Sequence, residues 1–212
     1  MTLPVIVIGA GGHAKVLIDA LLTSNVTIVG IADADLGRRR EALLGVKIMG
    51  NDDEVLRHAP QSVQLVNGLG SVDTTAARKA LYNRFRSAGY HFASVIHPSA
   101  VVSSHANLAE GVQVMAGAVI QAGTRIGENS IVNTRASVDH DCIIGAHVHI
   151  APGATLSGSV ELGDAVHVGT GATIIQGVRV GRGSTVAAGA AVISDVPDKS
   201  KVTGVPAKNL TQ

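Results

Sequence analysis

The stretch "VIQAGTRIGENSIVNTRASVDHDCIIGAHVHI", residues 119–150, repeats one pattern every six residues and decides the fold of the second half of the chain. Ile, Leu or Val recurs at every sixth position, and a small side chain or a valine follows four residues later. This aliphatic series runs without a break over seventeen positions, from Ile96 to Val192. Because a period of six matches neither the 3.6-residue nor the 3.5-residue helical repeat, it predicts short strands joined by tight bends.

The repeat predicts a β-solenoid with an unusual core. Each aliphatic residue is expected to point inward and stack on its equivalent in the next coil, at the usual strand spacing of about 4.8 Å. The aromatic residues support this division of the chain, because none occurs in the repeat. All of them lie just before it: Tyr82, Phe85, Tyr90 and Phe92.

Composition excludes several classes of function. The 212 residues include 17 basic and 16 acidic side chains, and a net charge of +1 gives no reason to expect binding to nucleic acid. The single cysteine, Cys142, allows neither an intrachain disulfide nor a thiolate zinc site. The apolar run at the N-terminus is too short for a membrane span and lacks the flanks of a signal peptide. We therefore expect a cytoplasmic protein that does not insert into membranes.

The first half begins with "VIVIGAGGHAKVLIDALL", residues 5–22, which predicts a buried strand, a glycine turn and an amphipathic helix. A second strand, "VTIVGIAD", ends in Asp33, and a third, "SVQLVNGLG", contains Gly68. A helix is expected from about Asp73 to Ala88. The order βαβαβα predicts an α/β Rossmann-like, mononucleotide-binding unit over residues 1–94, followed by the solenoid over residues 95–212.

The glycine turn predicts a phosphate site, because a helix N-terminus offers backbone N–H groups and the positive end of the helix dipole. His13 lies in the first turn of that helix, and Asp33 is placed to accept hydrogen bonds from a sugar or a base. A dinucleotide normally requires both halves of a doubly wound sheet, whereas a nucleotide-sugar requires one. The nucleotide-sugar interpretation is therefore favoured, and an NAD-sensing domain remains the alternative.

The unbroken hexad array resembles the hexapeptide-repeat acyltransferases, whose fold is a left-handed parallel β-helix. That resemblance implies three hexads per triangular coil, so that residues 18 apart stack. The combination of "GAGGHAK", the strand ending in Asp33 and "DHDC" at residues 139–142 resembles a narrower family. Its members are the sialic acid O-acetyltransferases and the N-acetyltransferases of nucleotide-linked 4-amino-sugars. The segment "GVPAKNL", residues 204–210, also resembles the end of these chains.

His140 is the expected general base. A histidine has a pKa near neutrality, and a carboxylate at its second ring nitrogen would fix the tautomer and stabilise the imidazolium. Asp139 and Asp141 flank His140, and either could reach the ring. The resemblance assigns Asp141 to raising the basicity of His140. Cys142 occupies a small-residue position of the repeat, so we expect a structural role for it and direct acetyl transfer.

The resemblance implies further site residues. Asn133 is expected near the acceptor amine and His149 near the thioester, while the N–H of Gly158 would hold the oxyanion. Thr170 and Ala188 would contact the pantetheine arm of acetyl-CoA, which serves as co-substrate. The nucleotide-sugar pocket is expected to contain five residues: Gly11, Gly12, His13, Asp33 and Gly68. The resemblance also implies a homotrimer with active sites shared between neighbouring subunits.

The leading hypothesis is therefore N-acetylation of a nucleotide-linked 4-amino-sugar, a precursor of a cell-surface glycan. O-acetylation of sialic acid or a related sugar is the first alternative, because its proton chemistry is the same. A structural or metal-binding β-helix is the second, with His149 stacked on His167. A stable metal site wants three or four ligands, and the next residue in that stack is Thr185, so no metal is expected. His147 is expected at the surface, and His97 and His105 are expected in the first coils without a function.

Overall fold

The computed structural model describes residues 3–39, 41–72 and 74–210. The first of its two parts is a small α/β unit. Its elements are β1 (Val5–Ile8), α1 (Gly12–Thr23), β2 (Ile28–Ala32), a 3-10 turn (Leu36–Arg38), β3 (Ala42–Leu43), β4 (Val46–Gly50), α2 (Asp52–Val55), β5 (Gln64–Asn67) and α3 (Ala76–Ser87).

The sheet of this unit has the strand order β3-β4-β2-β1-β5. Strands β1, β2, β4 and β5 are parallel, and β3 is antiparallel to β4. The predicted strands β1, β2 and β5 are confirmed, whereas the β3–β4 hairpin is an addition that the sequence analysis did not include. The predicted helix start at Asp73 lies outside the described residues. The observed helix α3 ends at Ser87, and Gly89 follows with φ of 87°.

The two faces of this sheet bury different side chains. Helix α1 covers one face with apolar residues such as Leu17 and Ile18. Helix α3 and the segment after it cover the other face, and all four aromatic residues of the chain pack there against Ile6 and Ile8. The aromatic cluster therefore forms the core of the α/β unit, because the solenoid has no aromatic residue to bury.

The second part consists of short strands in a regular series. They are β6 (Val95–Ile96), β7 (Val101–Val102), β8 (Asn107–Leu108), β9 (Gln113–Val114), β10 (Val119–Ile120), β11 (Arg125–Ile126), β12 (Ile131–Val132), β13 (Ser137–Val138), β14 (Ile143–Ile144), β15 (His149–Ile150), β16 (Thr155–Leu156), β17 (Glu161–Leu162), β18 (His167–Val168), β19 (Thr173–Ile174), β20 (Arg179–Val180), β21 (Thr185–Val186), β22 (Ala191–Val192), β23 (Lys201–Thr203) and β24 (Lys208–Asn209).

These strands form a left-handed parallel β-helix with three sheets. From β6 to β19 each strand pairs in parallel with the strand 18 residues further on, as Ile120 pairs with Val138 and Val132 with Ile150. The sheets have the orders β22-β19-β16-β13-β10-β7, β20-β17-β14-β11-β8 and β24-β23-β21-β18-β15-β12-β9-β6. The predicted triangular coil of three hexads is confirmed.

The predicted inward positions form one continuous core from Val114 to Val192, and Cys142 is fully buried in it. The first hexad departs from the prediction. Ile96 is 43% exposed, because no coil lies beneath the first one. Its neighbour Val95 is buried against the α/β unit instead. In the described part of the chain, no helix combines the length and apolar character needed to cross a membrane.

Candidate active site

A cleft of about 690 Å³ lies between the α/β unit and the β-helix. Its walls come from the glycine turn, from the loop after β5 and from the sheet that contains β12 and β15. Six of the predicted site residues line it: Gly11, Gly12, His13, Gly68, Asn133 and His149.

The glycine turn opens one end of the cleft. Helix α1 begins at Gly12, and its first turn carries neither a side-chain cap nor an acidic residue. Such a helix start suits an anionic ligand, because its N–H groups and dipole favour negative charge. Gly68 lets β5 approach this turn, since a Cβ atom there would lie 2.7 Å from the Ile8 carbonyl oxygen and 2.9 Å from the Ala14 Cβ.

Asp33 follows β2 and holds the glycine turn from behind. Its Oδ2 accepts a hydrogen bond of 2.6 Å from the Ala10 N–H, and its Oδ1 accepts one of 2.9 Å from the Asp35 N–H. The Arg38 guanidinium lies 3.9 Å from Oδ2 and donates to the Ala10 carbonyl oxygen. Among the described residues that line the cleft, Asp33 is absent. Its predicted contact with the nucleotide stays a prediction.

His13 joins the two parts of the chain across the cleft floor. Its Nε2 lies 2.8 Å from Oε1 of Gln113 in β9. Because Gln113 Nε2 donates to the Asn67 carbonyl oxygen, its Oε1 is the atom that faces His13, and His13 Nε2 therefore carries the proton. Burial, and then the charge of Arg78, lowers the pKa of His13 to about 4. His13 is thus neutral near pH 7, with Nδ1 as an acceptor.

His149 is held in one tautomer by two neighbours. Asn133 Oδ1 accepts the Thr134 N–H at 2.8 Å, so Asn133 Nδ2 faces His149 Nε2 at 3.1 Å. His149 Nε2 must accept this hydrogen bond, and Nδ1 therefore donates to the Ser71 hydroxyl oxygen at 2.5 Å. Burial, followed by the neighbouring histidines, lowers the pKa of His149 to about 3. This neutral imidazole, whose Nε2 already accepts a hydrogen bond, is not suited to act as a base.

His149 and His167 stack, as the family resemblance implies. They are register partners in β15 and β18, and their ring centroids lie 5.1 Å apart at a near-perpendicular angle. Ser71 Oγ lies 3.4 Å from His167 Nδ1. Within residues 3–39, 41–72 and 74–210, no group of three or more His, Cys, Asp or Glu side chains is arranged to hold a metal ion.

His140 occupies the turn between β13 and β14, at a different corner of the triangular coil. Its Nδ1 lies 2.9 Å from Oδ2 of Asp141, whereas Asp139 Oδ1 accepts the backbone N–H of His140 at 2.8 Å. Asp141 is therefore the carboxylate that reaches the ring. Its hydrogen bond raises the pKa of His140 above the ordinary value. The imidazole side chain is 51% exposed, and Nε2 has no hydrogen-bond partner among the described residues.

The His140 ring lies against Gly158 in the next coil. A Cβ atom at residue 158 would lie 2.5 Å from His140 Nε2, so any side chain there would displace the ring. Cys142 lies two residues beyond His140, with its Sγ 3.3 Å from the Ser157 carbonyl oxygen. Burial raises the pKa of this thiol, which makes it a poor nucleophile near pH 7.

Thr170 and Ala188 line a separate groove of about 310 Å³. Val72 lines both this groove and the cleft, so the two concave surfaces adjoin at the loop that follows β5. The predicted site residues therefore occupy three places on one chain. The cleft holds four of the five sugar-pocket residues with Asn133 and His149, and Asp33 lies behind the glycine turn. The groove holds Thr170 and Ala188, and the corner holds His140, Asp141 and Gly158.

One prediction about the histidines is wrong. His147 was expected at the surface, yet it is only 5% exposed. Its Nδ1 lies 3.0 Å from Asn129 Nδ2, and the Tyr82 ring meets it edge-on with centroids 5.5 Å apart. The α/β unit covers this position of the β-helix, and the repeat pattern contains no information about that packing.

The sequence analysis also missed three polar residues around the cleft: Ser71, Arg78 and Gln113. For Arg78 the sequence does contain a signal, in the spacing of the residues along α3. Arg78, Tyr82 and Phe85 follow the spacing i, i+4, i+7 and are the buried residues of α3. An arginine on the buried face of a helix requires a partner or a function.

Comparison with known protein families identifies both parts of the chain. Residues 4–85 match the family described as the PglD N-terminal domain. Residues 123–158 match the family described as bacterial transferase hexapeptide (six repeats).

Several solved structures are similar over the whole chain. The first is a histidine-to-asparagine mutant of perosamine N-acetyltransferase from Caulobacter crescentus in complex with CoA and GDP-perosamine. It is 40% identical with a TM-score of 0.92, and the match covers 99% of this chain and 97% of that chain. The acetyltransferase domain of PglB from Neisseria gonorrhoeae, in complex with acetyl coenzyme A, is 37% identical with a TM-score of 0.91. That match covers 99% of this chain and 100% of the other.

A curated relative matches over a shorter region. GDP-perosamine N-acetyltransferase of Escherichia coli O157:H7 is 36% identical over 67 residues. These residues make up 32% of this chain and 30% of that protein, so the match spans less than a third of the relative's length.

Proposed function

Since the chain belongs to the hexapeptide-repeat acetyltransferase family that includes the N-acetyltransferases of nucleotide-linked amino-sugars, we propose that it acetylates such a sugar. The donor is acetyl-CoA, and the acceptor is the amino group of a nucleotide-linked 4-amino-sugar, a precursor of a cell-surface glycan. The family relatives support this assignment, because one of them binds CoA together with GDP-perosamine. Cytoplasmic location belongs to the same proposal.

The proposed reaction is a direct transfer. The amine lone pair attacks the thioester carbonyl carbon, and His140 Nε2 takes the proton that the nitrogen loses. The C–S bond then breaks, and the departing coenzyme A sulfur takes this proton from the imidazolium. Asp141 stabilises the imidazolium through Nδ1. The backbone N–H of Gly158 is the proposed donor to the oxyanion.

The two parts of the chain divide the work in this proposal. Residues 1–94 hold the nucleotide at the glycine turn with Gly11, Gly12, His13 and Gly68, while Asp33 shapes that turn. Residues 95–212 hold acetyl-CoA along Thr170 and Ala188 and carry the base. Asn133 and His149, which face the same cleft as the glycine turn, orient the sugar and the thioester.

Separation of the corner from the cleft supports a shared active site. Asn133 lies in the turn after β12, whereas His140 lies in the following turn. His140 is not among the described residues that line the cleft. A neighbouring copy in a homotrimer would bring its own His140 corner to this cleft, which is why we include a homotrimer in the proposal.

One observation carries the proposal: the half-exposed imidazole of His140 is paired with Asp141 through Nδ1, and its Nε2 has no hydrogen-bond partner among the described residues. The neutral imidazole of His149 cannot replace His140 as the base, because His149 Nε2 already accepts a hydrogen bond from Asn133. His140 therefore has the free nitrogen and the carboxylate partner that a general base requires.

The test is an assay of the full chain with acetyl-CoA and, in separate reactions, a panel of GDP- and UDP-linked 4-amino-sugars and sialic acid, followed by thiol release and product mass. We expect one added acetyl group in an amide that resists mild alkali. His140→Ala should lower kcat by about 10²-fold or more, and Cys142→Ala should keep most of the rate. An alkali-labile ester formed on sialic acid, with no amide on any nucleotide-sugar, would replace this function with O-acetylation.

A further inference from the structure

Arg78 of α3 is a buried cation with no carboxylate partner among residues 3–39, 41–72 and 74–210. The residue is 1% exposed, and within the described part of the chain its guanidinium donates to backbone carbonyl oxygens alone. Nη1 bonds to Asn67 and Leu69, each at 2.8 Å, and Nε bonds to Asn129 at 3.1 Å. Nη2 makes no hydrogen bond to any residue that the structure describes.

This arrangement is costly for the protein alone. Burying a charge is unfavourable unless an opposite charge and hydrogen bonds compensate it, and an unsatisfied buried donor adds to the cost. Burial lowers the pKa of Arg78 to about 9, so the guanidinium is still mostly protonated at pH 7. The positive charge therefore remains in place, and among the described residues only three hydrogen bonds to backbone carbonyl oxygens compensate it.

The charge lies directly behind the cleft. The carbonyl groups that hold Nη1 belong to Asn67 and Leu69, which flank Gly68, and both Gly68 and Leu69 line the cleft. No acidic side chain occurs among the described residues of the cleft lining. The two histidines in that lining are neutral. Burial is the first cause of their low pKa values, and the charge of Arg78 contributes to both.

We propose that Arg78 makes the cleft selective for the diphosphate group of a nucleotide, because it places behind Leu69 a positive charge that no carboxylate of the described residues pairs with. The guanidinium acts through its electric field, because the backbone of residues 67–69 lies between it and the cleft. It does not contact the ligand. This inference rests on the proposed function, since it assumes that the anionic part of the nucleotide-sugar occupies the cleft.

Calorimetry on the full chain tests the inference without acetyl transfer. GDP and guanosine, and in parallel UDP and uridine, are titrated into the wild type, Arg78→Met, Arg78→Lys and Arg84→Met. Arg84 is the matched control, because it lies on the same helix but is exposed and paired with Asp52. The measured quantity is the ratio of nucleoside Kd to nucleoside-diphosphate Kd.

We expect Arg78→Met to reduce this ratio at least tenfold, the factor that corresponds to about 1.4 kcal/mol. Nucleoside and acetyl-CoA affinities should change by no more than about twofold, an allowance set from the spread expected for distant, independent sites. Arg78→Lys, which keeps the charge, should keep most of the ratio, and Arg84→Met should keep all of it. Equal weakening of nucleoside and nucleotide in Arg78→Met would overturn the inference and leave Arg78 with a purely structural role.

A measurement on the wild type covers the case in which Arg78→Met does not fold. Salt screens buried charges much less than exposed ones. The ratio should therefore change by less than about threefold when the salt concentration rises from about 50 to about 500 mM. A larger loss would assign the selectivity to exposed charges and overturn the inference. If the wild type acetylates a nucleotide-sugar while Arg78→Met keeps its ratio, this inference alone fails. If the wild type binds no nucleotide, the proposed function fails with it.

Discussion

The imidazole of His140 lies against the backbone of Gly158, its equivalent one coil further along the β-helix. A Cβ atom at residue 158 would come within 2.5 Å of His140 Nε2, the nitrogen proposed to take the proton. The absence of a side chain at Gly158 thus leaves the space that the His140 ring occupies, in addition to the proposed role of its backbone N–H as an oxyanion donor.

Gly158→Ala should lower kcat by about 10²-fold, the scale of losing a positioned base, while the free energy of unfolding changes little. The reason is displacement of the ring by the new methyl group. A double-mutant cycle with His140→Ala separates this effect from oxyanion binding, since in that background the methyl group has no ring to displace. Full additivity of the two losses would show that Gly158 acts independently of His140.

Asp141→Asn should weaken the base. The hydrogen bond to Asp141 raises the pKa of His140, so its loss lowers that pKa. The acidic limb of the pH profile of kcat should then move to lower pH, because His140 stays neutral down to a lower pH. The plateau value of kcat should also fall, because the imidazole is a weaker base. Asp139→Asn is the matched control: an amide oxygen can still accept the His140 backbone N–H. An equal shift in both variants would contradict the assignment of Asp141 as the ring partner.

Stability should decline below about pH 6.5 because of His13 and His149. The folded pKa values of about 4 and about 3 lie below the ordinary value of 6.5. The unfolded chain therefore binds more protons, and this part of the stability is complete above pH 6.5 and lost as the pH falls towards those values. Each histidine adds a slope of about 1.4 kcal/mol per pH unit in that window.

Urea unfolding at several pH values between about 7.5 and about 4.5, which spans the window in which a histidine titrates, checks this dependence. His13→Gln should reduce the slope of the unfolding free energy against pH by the contribution of one histidine. His105→Gln, at an exposed position, should leave the slope unchanged. A free energy of unfolding that does not vary with pH in this range would rule out buried neutral histidines.

Asp33→Ala should raise KM for the nucleotide-sugar at least tenfold and leave KM for acetyl-CoA nearly unchanged. The substitution frees the Ala10 N–H and removes the anchor of the glycine turn; a charged hydrogen bond of this kind is worth about 1.5–3 kcal/mol. Steady-state kinetics with each substrate varied in turn measure both constants, and Asp35→Ala serves as a neighbouring control. Weaker acetyl-CoA binding with unchanged nucleotide binding would contradict the division of labour.

The repeat was predictable in detail because its period is local in sequence. With three hexads per coil, which the family resemblance implied, the partners of Ile120, Val132 and His149 in the next coil follow from counting eighteen residues. The burial of His147 was not predictable, because it depends on how the α/β unit packs against the β-helix. The strand Val46–Gly50 was missed for a similar reason: its side chains do not alternate cleanly, and pairing with β2 determines its conformation.

The Ser71–His149 contact was hidden from the sequence in the same way. Ser71 follows a strand of the α/β unit, and His149 lies in the β-helix 78 residues later. Nothing in the hexad pattern says which of the three sheets faces the first unit. The individual site residues could be proposed by resemblance, but their distribution over a cleft, a groove and a corner required the structure.

The coil of three hexads also limits how the length of this chain can change in evolution. Loss of six residues between His140 and His149 would move His149 to the place of Ile143, on a sheet that does not face the α/β unit. Ser71 would then have no imidazole to meet. Loss of eighteen residues would leave every later side chain on its original sheet, but one coil nearer to the start of the β-helix. Insertions and deletions within the β-helix are therefore compatible with this site only as whole coils, or as loops that leave the hexad count intact.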